Sequence, residues 1–440
     1  MRIPSLSPSP SRRRAPVRPH PHFSGWTMLG IAGFVLLLST PAQTYGFSVF
    51  IDPMLTQLGL SRSLVSAAYT VATLVSAGAV FLVGGVIDRH GHRAVLAATA
   101  AVYVVALFAM GAVGGAWTLL LGFTLLRATG ASVLTLAART HVAQWFVRRR
   151  GRAVSIVNLG KMLGLALVPP ANAALIQVVG WRDAWRVNAL VVALLVPVAL
   201  LLVRNRPEEV GQFPDGEPSP DASAAPATAE TPEVPAAPAD RAGGRSWTRR
   251  EALRTRTMWL LLVVTFVPAL VTNGLSFNQI SILTEAGLTP TAAALTFTIE
   301  STVAIPMTFA VGWLADRFGP RPALVLGQAL LVACLVCLAF TAPGPVAVLF
   351  GVFRGLTTGT WILAQEVAWP AYFGRRHLGS IAGLSFAVSF VGAAIGPLPF
   401  GVIYDLFGSY RAAIWGLALL PVLSTWAALL ARPPRSRAVA

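Results

Sequence analysis

Residues 84–93 read Gly84-Gly85-Val86-Ile87-Asp88-Arg89-His90-Gly91-His92-Arg93, and residues 312–321 read Gly312-Trp313-Leu314-Ala315-Asp316-Arg317-Phe318-Gly319-Pro320-Arg321. Both have the form Gly-x-x-x-Asp-Arg-x-Gly-x-Arg, and they lie 228 residues apart. The same offset pairs Gly46 with Gly274, Ser48 with Ser276, Gly59 with Gly287, Leu60 with Leu288 and Gly180 with Gly408. An offset of 227 pairs Arg127 with Arg354, Phe146 with Phe373, and Arg148-Arg149 with Arg375-Arg376. Matches held in one register along so much of the chain mark two copies of one unit. In a tight loop of this form the glycines permit positive φ, and the Asp can accept from a helix N-terminus or a neighbouring Arg.

Outward from these loops the chain is almost continuously apolar. Of its 440 residues 55% are hydrophobic and 12% charged, with a mean hydropathy of +0.67. Soluble domains carry about a quarter charged residues, so this chain must bury its surface in lipid. A net charge of +17 would suit nucleic acid in a soluble protein, a partner that so apolar a chain excludes. Two cysteines make no disulfide framework.

A membrane-crossing helix takes roughly 20 predominantly apolar residues. Twelve such spans are predicted: 26–50, 62–87, 94–113, 116–138, 153–178, 184–204, 258–282, 291–313, 322–341, 345–370, 378–404 and 411–431. The predicted fold class is an all-α polytopic membrane protein, with twelve transmembrane helices in two pseudo-symmetric six-helix bundles at 26–204 and 258–432. Residues 1–25 form a basic, proline-rich tail expected to stay uncleaved, and 433–440 form a second tail. Residues 205–257, rich in Pro, Ala and acidic side chains, cannot bury a core and are expected to be a disordered linker.

An even number of spans puts both tails and the linker on one face. Twenty-seven of the 34 basic residues lie there, and the opposite face has only Arg62, Arg182, Arg186 and Arg411. This asymmetry predicts that both termini and the linker are cytoplasmic. Three cations remain inside spans: Arg127, Lys161 and Arg354.

The twin loop resembles the signature loop of the major facilitator superfamily. The resemblance implies a secondary transporter that works by alternating access. Its parallel halves would hold substrate between them near the midplane. Gly84, Asp88, Arg89, Gly91 and Arg93, with their twins Gly312, Asp316, Arg317, Gly319 and Arg321, are then expected at a cytoplasmic gate. The repeat also sets Arg139 opposite Glu366, and that pair is assigned to the same gate.

Finer features are similar to the monocarboxylate transporter and oxalate/formate antiporter branch. They include Trp145-Phe146-Val147-Arg148-Arg149-Arg150-Gly151-Arg152, Gly180-Trp181-Arg182-Asp183, Arg206-Pro207-Glu208-Glu209 and Gly396-Pro397 with Tyr404-Asp405. The chain departs from that branch in span 8, which has Glu300 and no basic residue, and in span 11, which has no lysine.

A charge at the bilayer centre costs about 2.5–3.5 kcal/mol on insertion scales, so residues there are functional candidates. At 1.5 Å per residue, Arg127 lies roughly 16 Å into span 4, Lys161 about 12 Å into span 5 and Arg354 about 13 Å into span 10. Lys161 is the protein's sole lysine. Glu300 is the one similarly deep acid; it is expected either to carry protons, since burial raises a carboxyl pKa, or to form a salt bridge with Arg354 or Lys161. Cations in excess of acids attract an anion.

The expected function is transport of a small organic anion, a mono- or dicarboxylate, coupled to protons or by exchange. Arg127, Lys161, Arg354, Tyr45, Asn158, Asn273 and Gln279 are the candidate substrate contacts and Glu300 the coupling group. The protein is expected to act as a monomer in the plasma-membrane bilayer, with no cofactor, metal or enzymatic activity. Phosphate-loop and metal-ligand spacings do not occur. Proton-driven efflux of hydrophobic compounds is the alternative. Pro169-Pro170 is expected to interrupt span 5.

Overall fold

A computed structural model describes residues 23–216, 247–374 and 376–434. The first tail to residue 22, the linker interior 217–246 and the last residues of the second tail lie outside it.

Span 1 is broken. Helix α1 (Gly25–Leu38) and α2 (Thr44–Leu58) are joined by a 3-10 turn at Thr40–Ala42. Pro41 cannot donate into a helix, and Gln43 is extended. Spans 2 and 3 form α3 (Arg62–Gly111), which turns at Gly91 with φ 79° and ψ 163°. Span 4 is α4 (Ala116–Leu126), a wider π turn at Arg127–Leu134 and α5 (Thr135–Trp145). Spans 5 and 6 are α6 (Arg150–Ala193), turning at Gly180, followed by α7 (Leu195–Leu202).

The second half opens with the short α8 (Arg249–Leu253) and continues through α9 (Arg256–Glu285), α10 (Pro290–Phe318), α11 (Pro320–Ala339) and α12 (Pro345–Phe373). Its last two spans are α13 (Leu378–Ile395) with α14 (Pro397–Phe407), and α15 (Tyr410–Leu430). The long apolar segments, among them Arg150–Leu202 with two crossings, together with α1–α2 and the start of α3, account for twelve spans.

The twin loops share a backbone conformation: Gly319 has φ 81° and ψ 173°, close to Gly91. A side chain at such positive φ is strained, which explains why both loops keep this glycine. Span 4 ends seven residues later than the sequence suggested, at Trp145. Arg139 therefore lies inside the span and is not a loop cation.

The expected break at Pro169-Pro170 does not occur, and α6 runs through both prolines. A proline in a helix leaves the carbonyl four residues earlier without its donor, which lipid cannot satisfy. Ala166 O, freed by Pro170, accepts the Thr298 hydroxyl of the other half at 2.5 Å. Val264 O, freed by Pro268, accepts the amides of Gln328 at 3.0 Å and Gln365 at 3.1 Å. Ala393 O, freed by Pro397, accepts the Asn273 amide. At these three sites a neighbouring helix supplies the missing donor.

Small residues bring the helices within each half together. A Cβ on Gly160 would stand 2.1 Å from Gly33 O, and one on Gly396 would stand 2.3 Å from Leu270 O. Spans 5 and 1 thus pack backbone to backbone, as do spans 11 and 7. The halves meet where α2 packs on α9, α3 on α13 and α14, and α6 on α10.

Candidate substrate site

On the face away from the linker the halves are clasped. Arg62 pairs with Asp52 at 2.8 Å and donates to the Tyr410 hydroxyl at 2.8 Å, while its guanidinium lies 4.4 Å from the Tyr404 ring. Asp405 of the second half accepts the backbone amides of Arg62 at 3.3 Å and Ser63 at 2.8 Å. It therefore caps the first turn of α3, whose amides have no partner within the helix. Ser281 donates to Asp52 at 2.8 Å, and Thr70 donates to Ala394 O at 2.9 Å.

Nearer the middle, Thr44 bonds Asn273, and Ser301 donates to Met162 O at 2.8 Å. Among the described residues, no hydrogen bond between the halves lies on the linker side of these contacts. There Arg139 and Glu366 are exposed although both sit within spans, and so are Asp88, Arg89, Asp316 and Arg317 of the twin loops. The interior is open toward the linker face.

The expected substrate contacts divide into two groups. Arg354 is 1% exposed. It lies 3.6 Å from Glu300, donates to Gln279 at 3.3 Å and to Thr272 O at 3.3 Å, and bonds the Ser276 hydroxyl. Glu300 in turn accepts Thr358 at 2.7 Å, and Gln279 donates to Thr296 at 2.8 Å. The salt bridge that the sequence left open is thus made between Arg354 and Glu300. Gln279 bonds within the second half, whereas Asn273 bonds both Ala393 O of its own half and Thr44 of the first.

The first half holds its cations differently. Arg127 donates to Ala42 O at 3.3 Å and lies 5.1 Å from the Tyr69 ring, with no carboxylate paired to it among the described residues. Lys161 has no hydrogen bond or ion pair among the described residues. Leu159 and Leu163, 44% and 52% exposed, mark the lipid side of α6. At about 100° per residue, Lys161 points the opposite way, into the interior. Asn158, one turn away on the same side, accepts Arg139 Nη2 at 3.1 Å. Arg139 and Arg127 both lie within Coulombic reach of the Lys161 ammonium, and Glu366 faces Arg139 across the opening. The buried Tyr45 hydroxyl, next to the Thr40 hydroxyl, makes no well-formed hydrogen bond among the described residues, and its ring lies 6.3 Å from Phe297 of the other half.

The twin-loop residues shape turns and do not reach the interior. Arg93 N donates to Asn205 at 2.9 Å, and Arg321 bonds Leu429 O. Sequence reasoning missed the clasp residues Asp52, Arg62, Tyr410 and Ser281. Their signal was an acid and an arginine at adjoining span ends, weak without knowledge of which ends meet.

Two similar six-helix halves, clasped at one face and open at the other around interior charges, define a membrane transporter of the alternating-access kind. The family model of the Major Facilitator Superfamily matches residues 31–364 and again 261–440, and the chain belongs to that superfamily. A phosphoglycerate transporter protein of Salmonella typhimurium is 25% identical over 279 residues, covering 61% of this chain and 59% of that protein. The oxalate:formate antiporter of Oxalobacter formigenes is 25% identical over 179 residues, covering 41% and 42%. The multidrug resistance protein MdtL of Escherichia coli K12 is 25% identical over 351 residues, covering 77% and 80%. The match thus spans less than two thirds of the first two relatives.

Among solved structures, a bacterial homolog of the human lysosomal transporter Spinster, inward-facing and unoccupied, is similar with a TM-score of 0.71 at 17% identity. That likeness covers 94% of this chain and 99% of the other. The nucleoside transporter NupG gives 0.70 at 12%, covering 93% and 100%. At such identities the likeness is one of fold.

Proposed function

We propose that this transporter moves a small organic anion, a mono- or dicarboxylate, across the cell membrane, with the linker face and both termini cytoplasmic. The observation that carries this reading is the wall of the first half, where Arg127, Lys161 and Arg139 stand with no carboxylate of that half beside them. An interior with surplus positive charge binds and concentrates anions. Lys161 and Arg127 hold the anion from one side, and Tyr45 offers a hydroxyl beside them. Glu300 is the coupling group. Protonating it removes the partner of Arg354, which frees that guanidinium for the substrate and links proton to anion.

Uptake of labelled carboxylates by proteoliposomes, with and without a pH gradient, tests this. Accumulation driven by the gradient is expected, and unimpaired uptake by a Lys161→Ala variant overturns the site. Efflux of hydrophobic compounds is the second reading, since the match to MdtL covers more of both chains than the other two. Ethidium extrusion without carboxylate transport is its signature.

A further inference from the structure

The first-half wall carries a ladder of cations. Arg139 lies six residues from the end of α5 at Trp145, about 9 Å from the linker face at 1.5 Å per residue. Lys161 lies eleven residues into α6, about 16 Å deep, and Arg127 is deeper still at about 27 Å. Two acids face this wall from the second half. Glu300 is already committed to Arg354 and Thr358, which leaves Glu366 alone to set against three cations. The unmatched charge is two.

Lys161 is half-buried with no partner among the described residues, and Arg139 is exposed at the opening. Arg139 is held by Asn158, which shares the interior side of α6 with Lys161, and both charges flank the opening. A partly dehydrated cation without a partner is costly, and a hydrogen-bonded anion removes that cost. A monoanion leaves one of the two charges unmatched, whereas a dianion whose acidic groups sit at its two ends matches both.

We propose that Lys161 and Arg139, the latter steadied by Asn158, form a two-point clamp for a small dianion, a dicarboxylate or a phosphomonoester. Arg139 is thereby a specificity residue of the substrate site and not only part of a gate. The inference rests on the anion reading above and narrows it.

The test is self-exchange in proteoliposomes of the full chain, preloaded with unlabelled compound and offered labelled lactate, succinate or glycerol 3-phosphate. At least one dianion is expected to show a KM about tenfold or more below that of lactate, since each desolvated charge contact is worth at least that factor. The succinate and glycerol 3-phosphate arms separate the carboxylate from the phosphate source. Arg139→Gln is expected to raise the dianion KM about 30-fold and the lactate KM under threefold, because only the dianion uses the second contact. Asn158→Ala, which keeps both charges, is expected to fall between, and Arg139→Lys to recover part of the loss.

Lactate handled as well as either dianion, or Arg139→Gln slowing every substrate alike, overturns the clamp while leaving an anion carrier. Exchange of no anion at all, with ethidium transported, overturns both readings.

Discussion

Arg127 and Arg354 occupy equivalent places in the two halves, and each donates to a carbonyl of its half's first span, Ala42 O or Thr272 O. Beyond that they differ. In the second half Glu300 lies beside Arg354, and at the equivalent place in the first half stands Ala72, fully buried. Ser276 bonds Arg354, while its twin Ser48 has no hydrogen-bond partner among the described residues. Lys161 matches Ser389 in the repeat. One copy of the duplicated unit has neutralised its deep arginine within its own packing; the other has kept its arginine unpaired and added a lysine. Duplication thus leaves one half with its deep arginine paired and the other with a wall of unpaired cations.

The comparison breaks most sharply at the two arginines. Arg354→Ala strands Glu300 in a buried setting, a loss of about 3–5 kcal/mol for a severed buried pair. It should appear as a large drop in the thermal unfolding midpoint in detergent. Arg127→Met strands no carboxylate and is expected to cost under about 1.5 kcal/mol, while weakening anion transport. Equal destabilisation by the two variants would erase the distinction.

Packing should be alike in the two halves, and glycines test that. Gly160→Val drives a side chain into the Gly33 backbone, and Gly396→Val drives one into Leu270 O. Each is expected to cost about 1–3 kcal/mol through overpacking. Midpoint shifts differing by more than a few degrees would show that one half yields more easily.

At the clasp, Asp405→Asn replaces a charged cap on α3 by a neutral one. A loss of about 1–2 kcal/mol of closure is expected, charged acceptors being worth roughly twice neutral ones. Labelling of a cysteine placed at Ser61 would read it as faster modification from the far face.

The smallest effect belongs to Asp215, where the chain leaves the first half for the linker. Its carboxylate accepts the amides of Val147 at 3.0 Å, Arg148 at 2.8 Å and Arg149 at 3.2 Å. Slight burial pushes its pKa up, but these amides and the Arg149 charge outweigh that and hold it below the ordinary carboxylate value. A lowered folded-state pKa means stabilisation that is present at neutral pH and fades as pH falls through that lowered value, below about 4. Because the group is largely solvated, Asp215→Asn should cost under about 1 kcal/mol. The difference from the parent should vanish in an acid unfolding series. The second half offers no equivalent clip among the described residues, so no matching acid-sensitive step is expected there.

Much of this was legible in the residues. The repeat register, both positive-φ loop glycines and the three deepest cations follow from spacing and hydropathy alone. Arg139 was misplaced because the run Arg139-Thr140-His141 is polar. Hydropathy falls there because the helix lines an opening, which a sliding window cannot tell from a helix ending. The Arg354–Glu300 pair was one of two alternatives, since sequence gives the depth of a residue and not its direction around the helix. The break expected at Pro169-Pro170 fails for a related reason. A neighbouring helix can replace a missing donor, and Thr298, which serves Ala166 O, becomes a neighbour only through the fold.

The Asp405 cap on α3 has a consequence for turnover. Opening the far face strips two backbone amides of their acceptor and separates Arg62 from Tyr410. For a carrier working in the direction of uptake, the empty form must make that step unaided on every return journey, whereas a loaded one gains substrate contacts that help offset it. In that direction the unloaded return is expected to be the slow leg of the cycle. Countertransport, which never takes that leg, should outpace net flux across the same membrane.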